Sequence, residues 1–254
     1  MALEALYKYG KLSDHSESLF TTPTIWFSSP SALNDPFECR PWFTFNGTEG
    51  QFLDLLETVA RRHFPNNTPE QISAEARRLY ANGNHKSSQF EEMFRAGVID
   101  MLSRHVGLCC LSRGNTNILM WSHYAADHTG FCLEFAATDY TPFFGEAQEV
   151  KYANGFPVVD FFNTPHDLQV DLIFLTKFAG WQYEEEYRIV DHQAGSGLHS
   201  YPVELLKSVT FGLRMLEENK QKIREWLGRR GTKVKLYQAL IDQRDFKITL
   251  VDAK

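Results

Sequence analysis

A chain of 254 residues with 43% hydrophobic and 23% charged side chains has the balance of an ordinary globular protein, which excludes intrinsic disorder and collagen-like structure. It is long enough to hold a core without disulfides or a metal, and 20 Phe, 10 Tyr and 5 Trp make that core rich in rings. With 26 Lys and Arg against 32 Asp and Glu, the net charge of −6 argues against a surface that acts as a whole as a trap for nucleic acid or anionic lipid.

Residues 1–10 carry Glu4 and Lys8 and lack the apolar stretch and small-residue cleavage site of a signal peptide. The nearly uncharged stretch 168–183 is broken by Asp171 and Lys177, short of a membrane span. A cytoplasmic protein without membrane contact is therefore expected. Cys39, Cys109, Cys110 and Cys132 form no C-x-x-C pair and read as reduced, buried thiols, with Cys109 and Cys110 on opposite faces of a strand.

In chain order, the β-branched and aromatic run 24–28 (TIWFS) predicts a strand, and Asn34-Asp35-Pro36 a turn. From about 49 to 105 the periodicity becomes helical. Phe52, Leu55, Leu56 and Val59 mark one helix, and Thr68-Pro69-Glu70-Gln71 is a capping-box start for a second. A third, over 87–104, has Phe90, Phe94, Val98, Met101 and Leu102 as its buried stripe. This block is nearly neutral and reads as an inserted scaffold or lid. Beyond it, strands are predicted at 106–111, 130–135, 149–152, 185–191, 209–212, 234–240 and 246–251, with helices at 117–126, 166–179 and 215–227. The expected fold is one α+β domain over 1–254, with a mixed β-sheet core, flanking helices, a helical insertion at 49–105 and a basic C-terminal segment at 213–254.

Three places suggest chemistry. In Trp181-Gln182-Tyr183-Glu184-Glu185-Glu186-Tyr187-Arg188, alternation on a strand puts Glu184, Glu186 and Arg188 on one face. That row is either an ion-pair ladder or a carboxylate held for work on a sugar hydroxyl or a cation. Asn34-Asp35-Pro36-Phe37-Glu38 is either a self-capping turn or, because Pro36 holds Asp35 extended, a presented carboxylate. On the predicted helix 117–126, His123 backed by Asp127 resembles an oriented imidazole, and Met120 and Tyr124 share another face. His123 and His128 are not at ligand spacing, so no metal is expected. No phosphate-binding glycine loop and no nucleophile elbow occur. Over 214–235, the eight basic residues Arg214, Lys220, Lys222, Arg224, Arg229, Arg230, Lys233 and Lys235 face three acidic ones, either as a solvated surface or as a surface for RNA or another polyanion.

Leu6-Tyr7-Lys8-Tyr9, Trp26-Phe27-Ser28-Ser29-Pro30, Asn34-Asp35-Pro36-Phe37-Glu38, Met120-Trp121-Ser122-His123-Tyr124-Ala125 with Asp127, His128, Gly130 and Cys132, and Trp181-x-Tyr183-Glu184-x-Glu186-Tyr187-Arg188 together resemble a large bacterial family of unknown function, over about 6–212. More distantly, that family resembles the ADP-ribosyltransferases, including toxin and anti-phage members, whose split mixed sheet grips NAD. The resemblance implies an NAD-dependent mono-ADP-ribosyltransferase with NAD as substrate and a nucleic-acid or protein acceptor. A neutralising protein partner is also implied. It implies Glu186 or Glu184 as the catalytic carboxylate, and His123 joins them as a candidate catalytic residue. Tyr7, Lys8, Tyr9, Ser28, Asn34, Asp35, Trp121, Tyr124 and Arg188 would then form the NAD pocket. Tyr-Lys-Tyr where His or Arg is usual, and Arg188 beside the glutamates, depart from the enzyme pattern. The alternative is a non-catalytic nucleic-acid-binding or sensor module using 214–235. A metal nuclease built on Asp35, Glu38, Glu184 and Glu186 lacks a basic residue in the usual place.

Overall fold

The computed structural model describes residues 3–14, 16–83 and 86–253. The elements in chain order are β1 (Ala5–Gly10), α1 (Ser16–Thr21), β2 (Thr24–Phe27), β3 (Trp42–Thr44), α2 (Glu49–His63), α3 (Pro69–Ala81), α4 (Ser88–His105), β4 (Gly107–Ser112), α5 (Ile118–Tyr124), β5 (Phe131–Ala136), β6 (Gln148–Glu149), β7 (Lys151–Ala153), β8 (Val158–Asp160), α6 (His166–Phe174), β9 (Thr176–Phe178), β10 (Glu186–Asp191), β11 (Gly197–Ser200), β12 (Leu206–Phe211), α7 (Glu217–Gly228), β13 (Lys235–Ile241) and β14 (Ile248–Asp252). The fold is α+β. Its centre is an eight-stranded mixed sheet, ordered β14-β13-β12-β5-β1-β4-β10-β6, antiparallel except for the β12/β13 pair that α7 connects.

Alternation decides what each face of the sheet holds. Leu6, Cys109, Leu111, Phe131, Leu133, Phe135, Ile189, Val209 and Phe211 point to one face and pack with Phe20, Ile25, Phe27, Ile223 and Leu227 from α1, β2 and α7. A register shift between Leu206 and Ser208 lets Leu206 join the same core although it is an odd number of residues from Val209. The opposite face is covered in two patches. At one end, Met120 and Trp121 of α5 cover Tyr9, Cys132 and Ala239. At the other, α4, α6, β3 and β8 cover Leu108 with Phe43, Val159, Ile173 and Phe174. Polar residues of the same face, Ser112, Glu186 and Arg188, lie between the patches and are themselves buried.

The helices over 49–105 lie outside the sheet. Thr48 and Thr68 each make a complete capping box, with Gln51 and Gln71 respectively. Phe52 meets Phe162 edge-on at 4.9 Å and Phe45 meets Phe94 at 5.0 Å, so rings dock the block to the β3/β8 side. Of the stripe expected on the third helix, Phe94, Val98 and Leu102 pack against the apolar cluster and Phe90 meets Phe45, but Met101 lies beyond the contact and is exposed.

Four expectations are corrected. The strand at 24–28 does not join the main sheet: β2 pairs with β11, and only Ser28 bridges to Leu108. The strand at 149–152 is two, because the chain changes partner at Val150. Val150 N donates to Glu186 O, and Lys151 N donates to Leu175 O. The helix expected over 166–179 stops at Phe174, and Thr176–Phe178 instead pairs in parallel with β7. The strand containing Arg188 starts at Glu186 rather than 185.

Backbone crowding fixes the entry to β5. A Cβ on Gly130 would lie 2.1 Å from Gly10 O and 2.9 Å from Ala125 O, both main-chain atoms that no rotamer change moves aside. Gly130→Ala is expected to lower stability by about 1–3 kcal/mol, the usual cost of forcing backbone shifts in a packed region. Urea denaturation of the two proteins measures it.

Candidate functional site

Pairing between β1 and β5 runs along six residues, but β1 meets β4 at a single register pair, Tyr7 with Ser112. The sheet is thus split at this seam. A cleft of about 260 Å³ opens there, between the two apolar patches. Tyr7, Lys8 and Tyr9 line one bank, and Tyr124, Lys177, Glu184, Glu186 and Arg188 the other, with Ser28, Asn34 and Glu38 also on its wall.

The second bank is a buried charge network centred on Lys177. Its ammonium has three N–H donors and meets three carboxylates: Glu184 Oε2 at 2.5 Å, Glu186 Oε2 at 2.8 Å and Glu38 Oε1 at 3.2 Å. Arg188 Nε donates to Glu186 Oε1 at 2.7 Å, its Nη2 to Glu186 Oε2 at 3.0 Å, and its Nη1 to Phe174 O at 2.9 Å. Arg188 also pairs with Glu38. Tyr124 Oη donates to Glu184 Oε1 at 2.5 Å and accepts from Asn34 Nδ2 at 3.1 Å. Backbone anchors complete the frame: Ser112 Oγ donates to Glu184 O, Glu186 N donates to Tyr152 Oη, and Asn117, which caps α5, donates to Tyr183 O.

Three carboxylates and two cations leave one negative charge in excess, and the two central glutamates divide accordingly. For Glu186, burial raises the pKa, but the Arg188 guanidinium in contact with both its oxygens and the nearby Lys177 outweigh that and hold it down to about 2. For Glu184, burial is the largest influence and is not overcome by Lys177 and Tyr124, so its pKa is raised. Burial likewise pushes the Tyr124 hydroxyl up, reinforced by its bond to Glu184, and raises Tyr7 to about 12. A desolvated carboxylate of raised pKa in a cleft, next to one locked as a counter-ion, is the pairing that acid/base sites use.

The expected site residues fare differently. Tyr7, Lys8, Tyr9, Ser28, Asn34, Tyr124, Glu184, Glu186 and Arg188 converge on the cleft. Glu184 does not reach it by strand alternation. It ends a 3₁₀ segment, Ala179–Glu184, and Glu185, with φ of 43°, turns the chain so that Glu184 and Glu186 both face Lys177. His123 is exposed and does not line the cleft. The helix ends at Tyr124, and Ala126, Asp127 and His128 all have positive φ, so Asp127 is not one helical turn from His123. Trp121 is fully buried, with its Nε1 donating to Asn115 O, and presents no face to a ligand. Asp35 is buried beside the cleft rather than in it. Its carboxylate accepts from Phe37 N and from Trp181 Nε1 at 2.7 Å, so the turn both caps itself and docks a distant ring. Tyr9 Oη is committed to Gly114 O.

Lys177, Tyr152 and the central role of Glu38 were not foreseen. The helix expected over 166–179 takes in Lys177, and a lone cation in the apolar run 172–178 is its only signal. Glu38 stood in a singled-out motif, but its partner lay 150 positions away. The basic segment 214–235 is not one open face: Arg230 is buried against Tyr201 and the carbonyls of Phe20 and Thr22, Arg229 pairs with Glu17, and Lys220 and Arg224 pair with Glu217. Among the described residues no group of three His, Cys, Asp or Glu is arranged to hold a metal ion, and no helix is long and apolar enough to cross a membrane.

Fold and cleft together define a split mixed sheet with a buried lysine-carboxylate centre at its seam. Residues 120–189 match the family model described as "Protein of unknown function (DUF2971)". The match contains Tyr124, Lys177, Glu184, Glu186 and Arg188 and excludes β1 and the Asn34–Glu38 turn. Neither a curated protein nor a solved structure matches the chain.

The unequal glutamates make a stability prediction. Glu186→Gln strands Arg188 and part of Lys177 without an anion and should cost about 3–5 kcal/mol, whereas Glu184→Gln leaves two carboxylates against two cations and should cost about 1 kcal/mol. Because Glu186 titrates at about 2 when folded against a usual 4.5, its stabilisation is full above 4.5 and is lost as pH falls towards 2. Glu184, with a raised pKa, has the opposite sign: it favours the folded state most below 4.5 and less as pH rises. Urea titrations between pH 2.5 and 7 should show a shallower acid loss in Glu186→Gln than in the parent.

Proposed function

We propose that the cleft binds NAD and transfers its ADP-ribose unit to an acceptor, as a mono-ADP-ribosyltransferase of the toxin or phage-defence type. The observation that carries this reading is the raised-pKa carboxylate of Glu184, set in the seam of a split sheet opposite Tyr7. A cleft of about 260 Å³ suits a nicotinamide riboside unit better than a whole dinucleotide, whose remainder would extend beyond it. Tyr7 and Tyr124 supply rings and hydroxyls at the ribose. Lys8, whose ammonium meets the Cys110 carbonyl rather than a carboxylate, supplies positive charge for the diphosphate.

In the reaction the bond between nicotinamide and the ribose C1′ breaks, nicotinamide leaves with the bonding pair, and the acceptor forms the new bond at C1′. Positive charge develops on the ribose ring, and a nearby desolvated carboxylate stabilises it. Glu184 is the better placed of the two glutamates for this role. Arg188 grips both oxygens of Glu186, which therefore positions the cations, while Glu184, whose oxygens accept from Lys177 and Tyr124, is free of Arg188 and is linked through Tyr124 to the exposed Asn34. The same carboxylate, being more basic than usual, accepts the acceptor's proton. His123 has no part in this scheme.

Incubation of the protein with NAD, following nicotinamide release, tests the reading. Glu184→Gln should lower turnover by about 10²-fold or more, with a smaller effect on NAD binding, since the charge it stabilises develops in the transition state. The parent's rate should fall on the acid side at a pH above 4.5, where Glu184 takes up its proton. No release from the parent, or undiminished release from correctly folded Glu184→Gln, would reject the transferase reading.

A further inference from the structure

A second cavity, of about 340 Å³, lies on the other side of the Asn34–Asp35 peptide from the cleft. Asn34 lines the cleft and Asp35 this groove, so the two openings are separated by the width of one residue, about 3.8 Å of chain. Lys177 contributes to the walls of both. Unlike the cleft, the groove is dominated by rings. Phe37, Phe156 and Phe178 line it and are 65%, 49% and 54% exposed. Phe37 and Phe156 lie nearly parallel, with centroids 6.3 Å apart and planes at 24°. None of the three belongs to a hydrophobic core cluster, so their placement in water is not a by-product of core packing.

The two charged residues of the lining, Asp35 and Lys177, are committed to partners inside the protein, so the groove's free polar groups are an amide within it and cations close by in the chain. Asn154 presents an amide on its wall. Exposed Lys151 pairs along the β7/β9 ladder with Thr176, another lining residue, and exposed Arg40 follows Phe37 by three positions. Neither cation takes part in an ion pair among the described residues. Exposed parallel rings with an amide beside them and cations nearby are the features with which proteins hold unpaired bases: stacking accepts any base, and the cations follow the backbone. A duplex hides the faces of its bases and has nothing to stack there.

We propose that this groove is a binding site for single-stranded nucleic acid, with a base stacked on Phe37 and Phe156 and the phosphates beside Lys151 and Arg40. This deepens the proposed function and rests on it in one respect only, that the strand is the acceptor: the neighbouring nucleotide passes over the Asn34–Asp35 peptide to Glu184. Binding itself does not depend on NAD turnover.

The test is fluorescence anisotropy of labelled single-stranded 12-mers of DNA and RNA with the full chain and no NAD, beside a duplex of the same length. The parent should bind the single strands, more weakly as salt rises, and the duplex poorly. Phe37→Ala with Phe156→Ala should weaken single-strand binding by about 10-fold or more, and Phe37→Trp should retain it. Lys151→Ala should flatten the dependence on salt. Failure of the parent to bind, equal binding of the duplex, unchanged binding by the double variant, or occupation of the groove by an apolar peptide in place of the oligonucleotide would overturn the proposal. Nicotinamide release is read separately, so loss of the transferase reading leaves this result standing on its own.

Discussion

One ammonium group holds this molecule's polar interior together. Lys177 faces three carboxylates, brought by the turn after β2, by the 3₁₀ segment and by β10: Glu184 and Glu186 accept hydrogen bonds from it, and Glu38 is ion-paired to it at 3.2 Å. Removing five charged side chains from water costs several kcal/mol per ion before any attraction is gained, so such a centre is a poor device for stability alone. It survives because every charge has a partner, and it constrains everything around it. The helix α6 has to stop at Phe174 so that β9 can aim Lys177 inward, and Glu185 has to adopt a left-handed conformation so that both flanking glutamates reach the same ion. A left-handed non-glycine residue is uncommon and carries strain of about 1–2 kcal/mol, which the pairing offsets.

How far the sequence reveals this arrangement depends on the range of the forces involved. The capping boxes at Thr68 and Thr48, the alternation in β5 and the placement of helices over 49–105 follow from neighbours a few residues apart, and the box at Thr68 is visible in the pattern Thr68-Pro69-Glu70-Gln71 itself. The strands β3, β8, β9 and β11 are three or four residues long and exist because of partners far along the chain, so periodicity had little to register. The site divides along the same line. Glu184, Glu186 and Arg188 were legible together because they are adjacent. Lys177 was hidden because the run around it is as apolar as a helix interior. The expected His123–Asp127 pair needs helical spacing as far as Asp127, but the helix ends at Tyr124 and Ala126, Asp127 and His128 follow it in left-handed conformations. Trp121 shows the limit of residue type as a guide: a tryptophan in a conspicuous motif serves here as core, edge-on to Tyr9 at 5.3 Å.

The two banks of the cleft come from different parts of the chain. The matched region supplies Lys177, the two central glutamates, Arg188 and Tyr124, a complete set of cations but not of anions. Glu38, Asn34 and the β1 tyrosines arrive from outside it. The short motif Asn34 to Glu38 therefore acts as a strap: Asn34 reaches Tyr124, Asp35 reaches Trp181, and Glu38 reaches Lys177 and Arg188. Three consecutive functions within five residues explain why its composition is so particular, with Pro36 fixing the chain between the second and third contacts.

The strap also sets an order of events during synthesis. Its partners lie 90, 146 and 150 positions downstream of it, so none of these contacts is local. Contacts of such separation bear a larger loop-closure cost than local ones. A chain emerging from the ribosome holds its strap and its first tyrosines long before it owns Glu184 or Arg188. Until the segment that carries Lys177 and Arg188 is out, the negative charge of Glu38 has no counter-ion to bury against, and the cleft has only one bank. A chain truncated before Lys177 lacks both cations that face Glu38 in the folded protein, so the centre belongs to the whole segment through Arg188 and to no shorter piece.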